Sequence, residues 1–241
     1  MNLFVKACEK GDLEKVKHLV SLGVDVRVDD DYAVQSASHS GHIQVVKYLV
    51  SLGADIRSGN NYCVIYASSH GHLEVVKYLV SLGVDIRSGD DYAVKYASWN
   101  GHIQVVKYLV SLDADFRSQN DFAFRKASES CHLEVVKYLC EAGTDFRVFN
   151  DLAVRRASRN GRYEVVKYLV SLGADISKIS EKHRKYILFC EKMEKKIRER
   201  AQRKIYFWWI PICYDINRES GNRMMLKNLE KTKELGMEFY N

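Results

Sequence analysis

The sequence predicts an all-α solenoid of stacked helix-turn-helix units followed by a helical tail, and three observations carry that reading. First, Gly41-His42-Ile43-Gln44-Val45-Val46-Lys47-Tyr48-Leu49-Val50 returns thirty residues later as Gly71-His72-Leu73-Glu74-Val75-Val76-Lys77-Tyr78-Leu79-Val80, and again from Gly101, Cys131 and Gly161. A fixed period of this length marks an array in which each unit buries its apolar face on the next. Second, apolar residues inside the unit recur at helical spacing, as Leu73, Val76, Leu79 and Val80 do, with glycines closing the helices. Third, the period stops at Ile179, and a lysine- and arginine-rich stretch of different character follows.

The elements come in a regular order. A shortened first unit covers 1–29, full units begin near Asp30, Asn60, Asp90 and Asn120, and the last runs from about Asn150 to Lys178. In the unit 60–89, Cys63 to Ser68 reads as a short first helix that Gly71 ends in the left-handed conformation glycine adopts cheaply. The second helix, from Leu73, closes at Gly83. Val84-Asp85-Ile86-Arg87 alternates apolar with polar and reads as extended, and Ser88-Gly89-Asp90-Asp91 turns the chain into the next unit. Cys131 and Asp113 replace two of the closing glycines, so the junction of the third and fourth full units reads as the softest in the stack.

Those residues resemble the ankyrin repeat over roughly residues 1–178, through the Gly-His-(Ile/Leu)-(Gln/Glu)-Val-Val-Lys-Tyr-Leu-Val-Ser-Leu-Gly-Ala-Asp-Ile half of the unit. The unit departs from the family's 33-residue consensus by missing residues between Arg57 and Tyr62 and by replacing the T-P-L-H opening with Tyr62-Cys63-Val64-Ile65 and its equivalents. The resemblance therefore implies a clipped hairpin finger and a first helix without the Thr and His hydrogen bonds. Proline-poor, 30-residue arrays of this kind resemble the ankyrin proteins of giant DNA viruses, which implies a protein of the host cell cytoplasm.

The composition narrows the function classes. The 241 residues carry a net charge of +6, but residues 1–177 hold 21 Lys and Arg against 22 Asp and Glu, while 178–204 hold 11 against 4. The excess sits in one segment, which removes the general inference from a basic protein to nucleic acid. The longest apolar run, Ile205 to Cys213, is too short to span a membrane, and the first eleven residues lack the apolar core of a signal peptide. A cytoplasmic protein is expected. The six cysteines form no metal-ligand spacing and read as reduced thiols. No phosphate-binding loop, nucleophile elbow or zinc-protease motif occurs, so neither catalysis, nor a cofactor, nor a metal is expected.

Alignment of the units against one another separates constant from variable columns. His42, His72, His102 and His132 lie one per unit, where the resemblance implies a structural hydrogen bond rather than a metal ligand. Arg27, Arg57, Arg87, Arg117 and Arg147 each follow an Asp by two residues and read as ion-paired scaffold. The variable columns lie on the first helix, and from them Tyr66, Tyr96, Trp99, Arg125, Lys126, Arg155, Arg156 and Arg159 are the candidate partner-binding residues, since aromatics beside arginine dominate protein interfaces. Drift of unselected positions would also make these columns variable, and Tyr66 and Tyr96 are expected to be partly buried.

The tail, 179–241, opens with an amphipathic helix near Ser180 whose apolar stripe runs through Tyr186, Cys190, Met193, Ile197, Ala201 and Ile205. It reads as a cap on the open end of the array, or as a cationic face for nucleic acid or an anionic membrane surface. An apolar segment, Ile205 to Tyr214, and a final helix near Gly221 to Glu238 follow. This layout loosely resembles the tail with which poxvirus ankyrin proteins recruit a ubiquitin ligase, which would make the chain a substrate adaptor. The leading expectation is a non-enzymatic, monomeric protein-protein interaction module.

Overall fold

The computed structural model describes residues 3–201, with side chains left out at 148–150, 190, 191, 194 and 196–201. The apolar segment and final helix expected after Ile205 lie outside the described residues. The chain divides into two compact units, 1–183 and 184–241.

Twelve helices of the first unit form six pairs: α1 (Leu3–Glu9) with α2 (Leu13–Ser21), α3 (Val28–His39) with α4 (Ile43–Ser51), α5 (Ser58–Ser69) with α6 (Leu73–Ser81), α7 (Ser88–Trp99) with α8 (Ile103–Val110), α9 (Ser118–Ser130) with α10 (Leu133–Glu141), and α11 (Val148–Arg159) with α12 (Tyr163–Ser171). Each odd-numbered, inner helix packs on the inner helix before and after it and on its own outer partner. The core repeats with the period: Val45, Val46 and Leu49 of α4 are fully buried, as are Val75, Val76 and Leu79 of α6 and their equivalents through Leu169. On the inner helices the constant Ala-Val and Ala-Ser pairs, such as Ala93-Val94 and Ala97-Ser98, are buried, because only small side chains let these helices approach so closely.

The clipped hairpin finger is corrected to something shorter. Among the described residues there is no β-strand. Ile86 and Arg87 lie in a turn rather than an extended stretch, with the Arg87 N–H donating to Asp85 Oδ1 at 2.9 Å. Three consecutive residues then wind left-handed: Gly89, Asp90 and Asp91 at φ 63°, 57° and 65°, matched by Asp29 to Asp31, Gly59 to Asn61 and Gln119 to Asp121. The third N–H closes this turn on the arginine carbonyl four residues back, at 3.0 Å from Asp91 to Arg87. Aspartate, asparagine and glycine fill the turn because they tolerate this conformation best, at a cost of about 1 kcal/mol or more per non-glycine residue. A compensating bond crosses the unit boundary: Asp31 Oδ1 accepts from the Asp55 N–H and Asp91 Oδ1 from the Asp115 N–H, both at 2.8 Å, with both aspartates buried. At Asn61, Asp121 and Asp151 the equivalent oxygen is buried without that bond. A hairpin is unnecessary where three residues already reverse the chain.

The histidine and arginine columns are joints between units. Nε2 of His42, His72 and His102 sits 2.9 Å from the carbonyl oxygens of Glu9, His39 and Ser69 in the preceding unit, and His132 bonds the Trp99 backbone. Arg57 Nη2 donates to the Leu82 carbonyl at 3.0 Å, and Arg117 donates to the Gly143 carbonyl, so these guanidiniums close the outer helix of the next unit. The expected pairing of each arginine with the aspartate two residues before it is replaced by a backbone bond, and Arg27 and Arg87 instead face the buried Asp31 and Asp91 at 3.6 and 3.7 Å. On the outer helices Lys47 and Lys107 stand over the rings of Tyr78 and Tyr138 in the following unit.

Gly11, Gly41, Gly71 and Gly101 are needed twice over. Each has φ between 72° and 83°, and a Cβ on any of them would lie 2.3 to 2.5 Å from the histidine ring of the next unit. Where this column carries Cys131 at φ 71°, the next unit has Arg162 in place of histidine, and its Nε donates to the Glu129 carbonyl at 2.9 Å. The two replacements are complementary. Asp113 likewise takes the left-handed conformation, at φ 62°.

Burial holds the imidazoles of His72, His102, His132 and His183 below their ordinary range, the first three against the opposing effect of their backbone bonds. As pH falls through about 6.5 the unfolded chain protonates first, so stability is full above that value and is lost as pH descends toward the lowered folded values. The melting temperature is therefore expected to fall between pH 7.5 and 5.5, and replacing His72 and His102 by glutamine should flatten that slope. A pH-independent melting temperature over this window would contradict the assignment.

The array ends on a short 3-10 turn, Ile176–Lys178, and α13 (Glu181–Ala201) follows. Ser180 N–H donates to Ser158 Oγ at 2.9 Å, Ser180 Oγ lies 2.6 Å from His183 Nδ1, and the His183 ring stacks on Tyr163 at 4.2 Å. Lys178 adds a 3.0 Å ion pair to Asp151.

Candidate functional site

The inner helices expose one column of side chains each, and these join into a band. At its N-terminal end the His39 and His70 rings lie 3.9 Å apart, and Tyr66 stands edge-on to His39 at 5.8 Å while stacking on Tyr62 at 5.3 Å. In the next unit Tyr96 stacks on Trp99 at 6.0 Å and meets Tyr92 at 5.5 Å. Trp99 then bridges to the following unit, edge-on to Phe122, with Lys126 Nζ 4.8 Å over its ring. Tyr66 and Tyr96 are half-buried, as the sequence leads one to expect, and Trp99 is exposed.

From Lys126 onward the band is cationic and organised by one carboxylate. Glu129 accepts from Lys126 Nζ at 2.8 Å and from Arg156 Nη1 at 2.6 Å, so it ties α9 to α11. Burial pushes this carboxyl up, but the bonds and charges of Lys126 and Arg156 outweigh it and hold the group below its usual range. Arg125 turns back and donates to the Gln119 carbonyl at 3.2 Å. Arg155 is half-buried and Arg159 exposed, and among the described residues neither has a hydrogen-bond or ion-pair partner. The Glu129 carboxylate thus pairs with Lys126 and Arg156, and the charges of Arg155 and Arg159 remain available to a ligand.

The structure therefore brings Tyr96, Trp99, Lys126 and Arg156 into one connected network, places Arg155 and Arg159 beyond it as cations without partners, gives Arg125 a local backbone role and sets Tyr66 in a separate aromatic group with His39. Among the described residues no group of three or more His, Cys, Asp or Glu is placed to hold a metal ion, and no helix is long and apolar enough to cross a membrane. Cys8 and Cys63 are buried with thiols pushed up to about 12, values that leave them protonated at neutral pH.

A family model described as ankyrin repeats, in three copies, matches residues 4–90 and again 92–180. The chain belongs to the ankyrin-repeat family. Its structure is similar to the crystal structure of the human ASB11 ankyrin repeat domain, with a TM-score of 0.62 at 20% identity over 73% of this chain and 86% of that one. No curated protein sequence matches.

Ankyrin arrays are in general protein-protein interaction modules, and their variable inner-helix columns are the ones that carry the band here. Six residues of the inner face lie outside the candidate set read from sequence: Glu129, Phe122, Tyr32, Tyr62, Tyr92 and His39. Glu129 lies in a variable column but has the wrong charge for a cationic site, so its role as the hub was invisible without the Arg156 contact. Phe122 and the Tyr32-Tyr62-Tyr92 column stand where the family has its opening residues, and the three tyrosines are exposed. His39 lies in the same variable columns as Trp99 and Arg159, and its place in the band follows from its ring contacts with Tyr66 and His70.

Proposed function

We propose that the ankyrin array binds a protein segment along its inner face, with Trp99 and Tyr96 taking an apolar side chain and Arg155, Arg156 and Arg159 taking carboxylates. The observation that carries this reading is the pairing of an exposed tryptophan, stiffened by Tyr96, Phe122 and Lys126, with Arg155 and Arg159, which among the described residues bond to no group of the fold. Aromatic anchors beside arginine are where binding energy concentrates. The module needs no chemistry of its own, and a non-enzymatic role in the cytoplasm is the reading it supports. The 30-residue, proline-poor unit supports assigning the chain to the giant-virus arrays, whose partner would be a host or viral protein.

Selection of a random peptide library on the immobilised full-length chain tests this. Selected peptides are expected to be enriched in Asp and Glu next to an apolar residue, and Arg155→Glu with Arg159→Glu should weaken them by about tenfold or more while leaving the melting curve unchanged. Peptides without acidic enrichment, or undiminished binding to the double variant, would refute the site. A second reading, nucleic acid or anionic membrane bound through residues 178–204, is favoured by the exposure of Lys182, Lys185, Lys192 and Lys195 on α13. It requires affinity that falls steeply with salt and disappears when those lysines become glutamine. The ubiquitin-ligase adaptor reading concerns residues 205–241 and requires ligase subunits to co-purify through them.

A further inference from the structure

At the opposite end of the band from the arginines, the inner face forms a concavity of about 250 Å³ lined by Glu9, Tyr32, Gln35, Ser36, His39 and Tyr66. Three successive inner helices build it: Glu9 is the last residue of α1, Tyr32 to His39 belong to α3, and Tyr66 comes from α5. Its volume is below the roughly 300–1,000 Å³ of small-molecule pockets and suits one side chain of an extended partner. The lining is one carboxylate, two phenol rings, an imidazole and two neutral polar groups, with no lysine or arginine among them.

The groups around Glu9 leave its charge available. The Glu9 carbonyl takes the His42 bond, but among the described residues its carboxylate has no ion-pair partner, and the residue is exposed. Gln35 is buried and donates its amide to the Asp30 carbonyl at 2.9 Å, so it forms the floor. Tyr66 is held in orientation by Tyr62 behind it and His39 beside it, and Tyr32 is 48% exposed and stands at the mouth. A carboxylate and two phenol rings lining one concavity attract a cation through both the charge and the negative ring faces.

We propose that this concavity is a subsite for a single cationic side chain, lysine or arginine, of the bound partner segment. The proposal rests on the inner face being the protein-binding surface, and it adds the residue type at the N-terminal end of the segment's track. Together with the arginines of the last two units it makes the face bipolar: the partner would present a cation toward α1, α3 and α5 and carboxylates toward α9 and α11. A uniformly acidic or uniformly basic ligand fits only half of the track.

The test uses the full-length chain labelled at tyrosine for NMR, titrated separately with Nα-acetyl-arginine amide, Nα-acetyl-lysine amide and, as an uncharged match in length, Nα-acetyl-norleucine amide. The two cations are expected to shift Tyr32 and Tyr66 saturably while norleucine does not, and Glu9→Gln or Tyr32→Ala, both at exposed positions, should each weaken the cations by about threefold or more. Equal shifts with norleucine, or titrations unchanged in both variants, would overturn the subsite. The Arg155→Glu, Arg159→Glu variant should bind the cations as the parent does. Cation binding without acidic-peptide binding would remove the carboxylate track alone, and the converse would remove the subsite alone.

Discussion

Gly71→Ala is expected to destabilise the array by about 3 kcal/mol, against about 1 kcal/mol for Gly161→Ala. Both glycines are left-handed, at φ 78° and 72°, so both substitutions incur the same backbone strain. The difference is what a methyl group meets. At Gly161 nothing lies within 4 Å, whereas at Gly71 the new Cβ would stand 2.5 Å from His102 Nδ1. That ring cannot swing away cheaply, because its other nitrogen is bonded to the Ser69 carbonyl at 2.9 Å, and leaving the half-buried imidazole nitrogen without that partner adds about 1–3 kcal/mol. Urea unfolding of the two variants checks the comparison, and equal losses would mean that the ring is not the obstacle. The pair Gly71→Cys with His102→Arg should be less damaging than Gly71→Cys alone, since the chain itself uses that combination at Cys131 and Arg162.

Lys95→Met is expected to raise stability by about 1 kcal/mol or more, although it removes a charged residue. Lys95 is 1% exposed, and its Nζ is buried with no hydrogen-bond partner. Its neighbours in the same column show what is missing: Gln35 reaches the Asp30 carbonyl, Arg125 reaches the Gln119 carbonyl, and Ile65 is simply apolar and buried. The Tyr92 ring 5.2 Å from Nζ and the charges of Asp90, Asp91 and Asp115 recover part of the cost, but burial still holds the ammonium below the usual lysine range. Replacing a buried ion by an apolar side chain of similar volume is commonly stabilising by about 1–4 kcal/mol. A folded value below the unfolded one means that the cost is complete at neutral pH and vanishes once the pH exceeds the ordinary lysine value, so the gap between parent and variant should close as the solution is made alkaline. Thermal melts at pH 7 and pH 10 measure it. A less stable methionine variant would show that the cation is held by more than these neighbours.

Much of this architecture is written in the sequence because a repeat reports its own constraints. The period gave the helix pairs, and the constant Gly and His columns marked positions where neighbouring units touch. The left-handed turn was harder to see, since the same Asp-Asn-Gly run serves any turn; the bond that supports it in two of the units, as between Asp91 and Asp115, joins residues twenty-four apart, which no local pattern contains. The site divides in the same way. Trp99, Lys126 and Arg156 were legible as aromatic and cationic variation on one helix face. Glu129 was not, because a lone acid in a basic column acquires meaning only when residues 27 positions apart meet across a unit boundary. The concavity at Glu9 was hidden for the same reason: its lining comes from three units, and each contributes an unremarkable residue.

The joints between units have one further property. In nearly every case a constant side chain grips main chain rather than another side chain: histidine and arginine hold carbonyls, and aspartate holds an N–H. Main-chain groups are the same whatever residue occupies the position. Any unit therefore fits against any other that keeps the gripping residue and the glycine beneath it, and inner-face contacts such as Trp99 with Phe122 and Glu129 with Arg156 come in addition to that fit. Such a chain can gain, lose or shuffle whole thirty-residue blocks, and so re-order its contact surface, without redesigning a single seam.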